Sequence, residues 1–510
     1  MVPEFDYLWQ YLDHWAEIDE RFPAIKFKGK EISYGELKNN VDRLAASLLS
    51  LGVKKGDRVS TVLPMCPEYV YSFLACSKIG AICVPMDVRY RTAELRKFLR
   101  HARPEVVMAA ESFQENDIKT TLTEIKEEIG NPEIFFLDSG FEELLKGEPL
   151  ERVVEQSPDD DILIIFTGGT TGVPKATLLS HRNIISMAIG ELKSLVRYVG
   201  REERMTTLVH LPPSHVGGTT ELLATGVVNG SKMILVDHWR PDTVLRELSE
   251  EKITFFGAVP TMFALLFSLN VPLPSVELLV TAGEKLNPEL LRRMVAWCEK
   301  VGVGYGSTET AGFVTFSQPE DDPAKFTEGY VGIPFDGVEI KIVDGSGVEL
   351  KDGEIGEVLV KGPMVSKGYF NQPEETEKGF RDGYWVSGDL GYKKGEELYI
   401  VGRKKEVIRV GSYTVLPSEI EEVVMRNPGV GIAAAFGYPH EIYGEVVWLA
   451  VVPKAGEKIN EAEIIEACKR ELADFKVPRR VLIMDSIPLT RLGKADRIKL
   501  KETILKEFSG

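Results

Sequence analysis

Ten consecutive residues, Phe166-Thr167-Gly168-Gly169-Thr170-Thr171-Gly172-Val173-Pro174-Lys175, hold three glycines, three threonines and a lysine. That mixture is poor core material and a good polyphosphate cradle. Glycines let backbone N–H groups approach an anion closely. Threonine hydroxyls add donors, and Lys175 adds a point charge. The spacing is not that of a P-loop, which ends Gly-Lys-Ser/Thr, because Val173 and Pro174 separate Gly172 from Lys175. Glu309 follows closely on the apolar run 301–304. Its carboxylate therefore belongs at the C-terminal end of a strand, where α/β sheets bind ligands. Lys494 closes the loop Thr490-Arg491-Leu492-Gly493-Lys494, where a glycine turn can present a cation across a domain boundary. His215 stands alone in Pro212-Pro213-Ser214-His215-Val216-Gly217-Gly218, and two glycines leave room beside it.

These groups need a scaffold, and the pattern predicts an α/β one. The wholly apolar run 162–166 reads as a buried strand that delivers the glycine-rich loop. Ser180 reads as the cap of a helix over 181–198. Upstream, Ser33 and Glu36 form a capping box for a helix that ends at Gly52. Strands at 57–63, 81–85 and 105–110 alternate with helices at 67–78 and 92–101. Downstream, strands at 232–236, 254–256, 277–281 and 301–304 alternate with helices at 241–251, 260–269 and 288–300. Such alternation implies parallel sheets covered by helices. After Ala311 the texture changes to hairpin signals, predicting an antiparallel β subdomain over about 330–400. Beyond Gly402 a strand, helix, strand, strand, helix, strand pattern predicts a small α+β domain with helices at 418–426 and 462–474. Residues 1–401, a hinge at 402–406 and residues 407–510 are the expected units.

Bulk properties exclude several function classes. A chain of 510 residues exceeds one hydrophobic core. Its net charge of -17 argues against non-specific nucleic-acid or anionic-membrane binding. The charge is uneven: +2 over residues 401–510 and -19 over the rest, which fits a C-terminal unit that meets an anionic ligand. No apolar run is long enough to span a bilayer, and the N-terminus lacks the pattern of a secretory signal. Five cysteines without a Cys-x-x-Cys pair read as reduced thiols of a cytoplasmic protein without structural zinc. A homodimer is left open.

With those residues in view, the chain resembles the adenylate-forming (AMP-binding) superfamily, acyl-CoA synthetase type, over nearly its whole length. The Thr167 to Lys175 loop is similar to the family's phosphate loop. Tyr305-Gly306-Ser307-Thr308-Glu309 resembles Tyr-Gly-x-Thr-Glu, and Ser387-Gly388-Asp389 resembles the ribose-binding Ser/Thr-Gly-Asp. Gly402-Arg403-Lys404-Lys405-Glu406 resembles the Gly-Arg-x-Lys-Asp hinge, and Pro488-Leu489-Thr490-Arg491-Leu492-Gly493-Lys494 the terminal catalytic-lysine motif.

The resemblance implies joining a carboxylic acid to AMP and passing the acyl group to coenzyme A. Charge repulsion opposes attack of a carboxylate on a nucleotide phosphorus, so cations and oriented donors must dominate. It assigns the β- and γ-phosphates to Thr167, Gly168, Gly169, Thr170, Thr171, Gly172 and Lys175. It assigns the α-phosphate to Thr308, Mg²⁺ to Glu309, and ribose to Asp389 and Arg403. Tyr305, with Gly306 and Ser307 after it, would stack on adenine, and Gly283 and Glu284 would pack on the other face. Lys494 would bridge the carboxylate and the α-phosphate. His215, Gly217 and Gly218 would line the acyl pocket, the glycines hinting at a bulky or extended acid. Lys405 would be the pivot that swings Lys494 away and brings Gly411, Ser412 and Tyr413 to the pantetheine path. The chain departs from the pattern in three places: the glycine at Gly411 sits one position early, Ala176 follows the loop lysine, and Glu406 replaces aspartate. A stand-alone enzyme loading a carrier protein's phosphopantetheine is the alternative acceptor reading.

Overall fold

The computed structural model describes residues 3–150, 153–167, 175–411, 413–489 and 495–508. Most of the phosphate loop (168–174), Ser412 and Lys494 lie outside them.

Two sheets carry the first part of the chain. One orders Lys175–Ser180, Asp161–Thr167, Ile82–Pro85, Arg58–Val62, Val106–Ala109 and Glu133–Phe136. It is parallel except for its first pair, a hairpin that closes with Thr167 opposite Lys175. The glycine-rich loop is therefore the connection of that hairpin. The other sheet has a parallel centre that includes Ile253–Ala258, Val276–Ala282 and Val301–Ser307, with antiparallel Gly312–Phe316 beyond the last of these. Helix Pro67–Ile79 is buried on nearly every face, which is why its sequence shows no polar stripe. The predicted alternation is borne out, as is the Ser180 cap: its Oγ accepts from Asn183 N–H in helix His181–Val199.

An antiparallel sheet follows, built from Glu339–Val343, Gly356–Lys361, Phe380–Arg381, Tyr384–Lys394 and Glu397–Arg403. The last sheet combines Ile408–Val410, Tyr413–Val415, Val430–His440, Gly444–Pro453 and Arg480–Ile483. Two apolar clusters line it, and all their residues lie from Ile408 onward.

Several helices escape the sequence pattern, and two of them bound the described chain. Leu8–Ile18 opens the described chain, and Arg497–Phe508 closes it. The second buries only Leu500 and Ile504, a stripe too narrow to stand out from its lysines and glutamates.

Candidate active site

The short helical turn Thr308–Thr310 begins where strand Val301–Ser307 ends. It turns the Glu309 carboxylate inward, where it is 8% exposed. Ser307 Oγ donates to Glu309 Oε2 at 2.7 Å, and Tyr369 Oη donates to Oε1 at 2.9 Å. Gly306 permits this: a Cβ there would fall 1.9 Å from the Gly312 carbonyl oxygen.

Tyr369 links Glu309 to Lys175, the residue that ends the glycine-rich stretch. The Lys175 ammonium lies 4.7 Å from the Tyr369 ring centroid and 3.4 Å from its Oη. Backbone bonds hold that geometry: Leu178 N–H donates to the Gly368 carbonyl and Phe370 N–H to that of Ala176. Asn183 Nδ2 fastens the same segment through the Pro363 and Val365 carbonyls, each at 2.9 Å. Ala176 sits in the extended strand, its N–H donating to Gln372 Oε1. Burial, then the Glu309 charge, pushes the Tyr369 phenol far above its usual pKa, so it stays a donor. The sequence reading missed Tyr369. Its only signal was an aromatic pair after a glycine, Gly368-Tyr369-Phe370.

A second cluster forms around Asp389, 4% exposed. Tyr305 Oη donates to Asp389 Oδ2 at 2.8 Å, and Arg403 Nε lies 3.0 Å from Oδ1. Asp389 and Arg403 face each other across one hairpin, so the pairing is built into the register. Ser387 Oγ accepts from Asp389 N–H and donates to the Val358 carbonyl. A carboxylate has about four lone-pair sites, leaving acceptor capacity for a vicinal diol. The Asp389 charge raises the Arg403 pKa, while burial followed by Arg403 and Lys175 depresses that of Lys405. Three cations thus converge on one region, which suits a triphosphate. Glu309, with its two hydrogen-bonding neighbours, suits a hard cation such as Mg²⁺.

Gly283 follows strand Val276–Ala282 with φ +88°. The next two residues meet the C-terminal sheet unit: burial works to lower the Arg497 pKa, but Glu421, Glu406 and, behind them, Glu284 raise it, and Lys285 pairs with Glu422 at 2.9 Å. Around residues 402–406, Ser418 Oγ donates to the Val401 carbonyl and Lys404 N–H to that of Gly388. Gly411 adopts φ +61°, a left-handed conformation that explains a glycine here, one position early. Its N–H donates to the Tyr443 carbonyl, and Tyr413 stacks on Phe475 at 4.1 Å.

His215 lies in the loop before a π-helix, Gly217–Ala224. Ser214 Oγ is 3.4 Å from Asp87 Oδ2, and Arg89 clamps Asp87 through both oxygens. Burial works to raise the Asp87 pKa, but Arg89 and His215 overcome it and hold the carboxyl below its usual range. Asp87 was also missed, although it lies two residues past a predicted strand, at the end where such sheets bind ligands. The expectation of free room beside the glycines needs correction. A Cβ on Gly218 would fall 2.3 Å from the Pro212 carbonyl oxygen, and one on Gly217 would fall 2.8 Å from Leu211 Cδ1. Both glycines serve close packing, so they do not argue for a bulky acid.

Comparison with known proteins places this geometry. The family model for AMP-binding enzymes matches residues 12–370, and that for the AMP-binding enzyme C-terminal domain matches residues 419–494. Indoleacetate–CoA ligase of Aromatoleum aromaticum is 28% identical over 98% of each chain. Oxalate–CoA ligase of Arabidopsis thaliana is 30% identical over 94% of this chain and 96% of its own. ATP-bound MatB from Rhodopseudomonas palustris superposes with a TM-score of 0.90 at 28% identity, covering 99% of this chain and all of its own. O-succinylbenzoate CoA synthetase from Bacillus subtilis, solved with ATP and a magnesium ion, superposes with a TM-score of 0.84 at 27% identity, covering 96% of this chain and 99% of its own. The chain belongs to the AMP-binding enzyme family, the adenylate-forming superfamily of acyl-CoA synthetase type.

Proposed function

We propose that the chain is an ATP-dependent acid–CoA ligase. It converts a carboxylic acid, ATP and coenzyme A into acyl-CoA, AMP and pyrophosphate through an acyl-adenylate. The observation that carries this reading is the joining of Lys175, Tyr369 and Glu309 beside the Asp389, Arg403 and Tyr305 cluster. One cluster suits the phosphates and the other the ribose. In the first half-reaction the acid's carboxylate oxygen attacks the α-phosphorus, and pyrophosphate leaves with its electron pair. Thr308 binds the α-phosphate, and Lys175 with the loop 167–172 holds the departing part. Mg²⁺ held by Glu309 supplies neutralisation of phosphate charge. Lys494 bridges carboxylate and phosphate.

In the second half-reaction the unit 407–510 turns about the hinge 402–406, Lys405 being the pivot. Lys494 withdraws, and Gly411, Ser412 and Tyr413 line the approach of the thiol, which displaces AMP from the acyl carbon. His215 borders the acyl path. Aryl or fatty acids are the favoured class: relatives are named for indoleacetate and ferulate, and others for long-chain fatty acids. Acid, ATP and CoA meet in the cytoplasm, and the reading places the enzyme there. The chemistry requires no homodimer. The test is AMP release from a panel of carboxylic acids with ATP and CoA, repeated with a carrier protein in place of CoA. Release that depends on the carrier and not on CoA overturns the acceptor assignment.

A further inference from the structure

The segment after His215 is wound as a π-helix over eight residues, Gly217–Ala224. π-Helical turns are rare and concentrate at functional sites. This one aims Glu221 at the start of strand Gly312–Phe316. A Cβ on Gly312 would fall 2.8 Å from Glu221 Cγ and 3.1 Å from its Oε1. A Cβ on Gly217 would fall 3.5 Å from Glu221 Oε2. The carboxyl therefore sits against two backbones that lack side chains. Thr220, its neighbour, locks the turn in place, its Oγ1 lying 2.6 Å from the Ala311 carbonyl oxygen and 2.8 Å from that of Val216. Ala311 is two residues past Glu309, and His215 is two before Gly217. Glu221 thus stands between the histidine loop and the Thr308–Glu309 turn, where the body of an acid held at the α-phosphate must lie.

Glu221 is only partly buried, so its carboxyl is within reach of a ligand. Among the described residues no lysine or arginine forms an ion pair with Glu221. The nearby Glu191, 2% exposed, already accepts from Thr225 Oγ1 at 2.8 Å. Burial, reinforced by the neighbouring Glu221, raises the Glu191 pKa well above its usual value. Burial pushes Glu221 up to about 8, leaving it a neutral acid near pH 7, with one O–H donor and open acceptor positions. A ligand oxygen that pairs with this half-buried carboxyl gains a hydrogen bond in surroundings drier than bulk water.

We propose that Glu221 determines which acid is accepted, by hydrogen-bonding an uncharged oxygen function, a hydroxyl or carbonyl, on the part of the acyl group remote from the reacting carboxylate. This rests on the acid-activation reading above. Acids whose remote part is pure hydrocarbon fill the same space but leave the Glu221 carboxyl unpaired.

The test compares shape-matched acids: para-hydroxyphenylacetate against para-methylphenylacetate, and an omega-hydroxyalkanoate against the alkanoate one carbon longer. CoA-dependent AMP release gives kcat and KM for each. The wild-type enzyme should favour the hydroxylated member of at least one pair by about tenfold or more in kcat/KM, chiefly through KM. Glu221→Leu should abolish or invert that preference while leaving KM for ATP unchanged. Glu221→Gln keeps a donor and an acceptor, and should retain the preference. Should the leucine variant fail to fold, the wild-type ratio and the glutamine variant decide. Equal turnover within both pairs by the wild-type enzyme overturns the proposal. So does an equal preference in Glu221→Leu and wild type, or a preference for acids ending in an ammonium group, which would mark a cation site. AMP release that persists in those cases leaves the acid-activation reading standing. Absence of AMP release with every acid and both acceptors removes both readings together.

Discussion

Replacing Tyr369 by phenylalanine isolates the contact that ties Lys175 to Glu309. The ring stays, so packing against Phe380 at 5.5 Å and the Lys175 ammonium over its face are kept. Only the hydroxyl goes, and with it the 2.9 Å donation to Glu309. A hydrogen bond to a charged group contributes about 1.5–3 kcal/mol net. Ser307 Oγ still donates to the other carboxylate oxygen at 2.7 Å, which favours the lower half of that range. At about 1.4 kcal/mol per factor of ten, kcat/KM for the first half-reaction should fall roughly 10- to 40-fold. The assay is ATP–pyrophosphate exchange with a good acid, measured across Mg²⁺ concentrations. A less firmly held Glu309 should raise the Mg²⁺ needed for half-maximal rate, while the thermal midpoint stays near that of the wild type. Exchange within twofold of wild type at every Mg²⁺ concentration would refute the reasoning. So would a loss confined to thioester formation from supplied acyl-adenylate.

Lys494→Ala should abolish pyrophosphate exchange while CoA still accepts acyl groups from added acyl-adenylate; equal loss of both half-reactions rules out the two-conformation scheme. Lys405→Pro should spare exchange and slow acyl-CoA formation by stiffening the hinge, and an unaffected overall rate counts against the pivot. Stability should also fall with acidity through His181, which is buried, lies 2.9 Å from Gln156 Oε1 and accepts from Leu8 N–H. Burial pushes its pKa down to about 3, so the folded state binds fewer protons than the unfolded chain, whose histidines titrate near 6.5. The stabilisation is present above about pH 6.5 and drains as pH drops toward 3, costing about 2 kcal/mol by pH 5. Denaturant midpoints near pH 7 and pH 5 should therefore diverge more in the wild type than in His181→Gln, and equal divergence eliminates His181 as the group responsible.

Legibility followed the range of the interaction. Strands and helices that flank the site were readable because period and caps are local, as at Ser33 and Ser180. The terminal helix was not, since its burial amounts to two residues. Glycines were legible as glycines and misread as to purpose. Gly218 was taken to open space, yet only the packed structure shows the Pro212 carbonyl filling it. Gly411 shows the reverse: its early position looked like a departure, and its positive φ supplies the reason.

The chain by itself determined which residue types could handle phosphate, ribose and a hard cation, and that they would lie at strand ends and loops. Those are demands on backbone conformation and side-chain chemistry, and they are written into short stretches. Tertiary structure alone decided which of these groups touch. Tyr369 is 194 positions from Lys175 and 60 from Glu309, and no periodicity relates them. It decided too that the Glu221 carboxyl would lie against Gly217 and Gly312 with its pKa raised, because a carboxyl's pKa is set by what surrounds it in space.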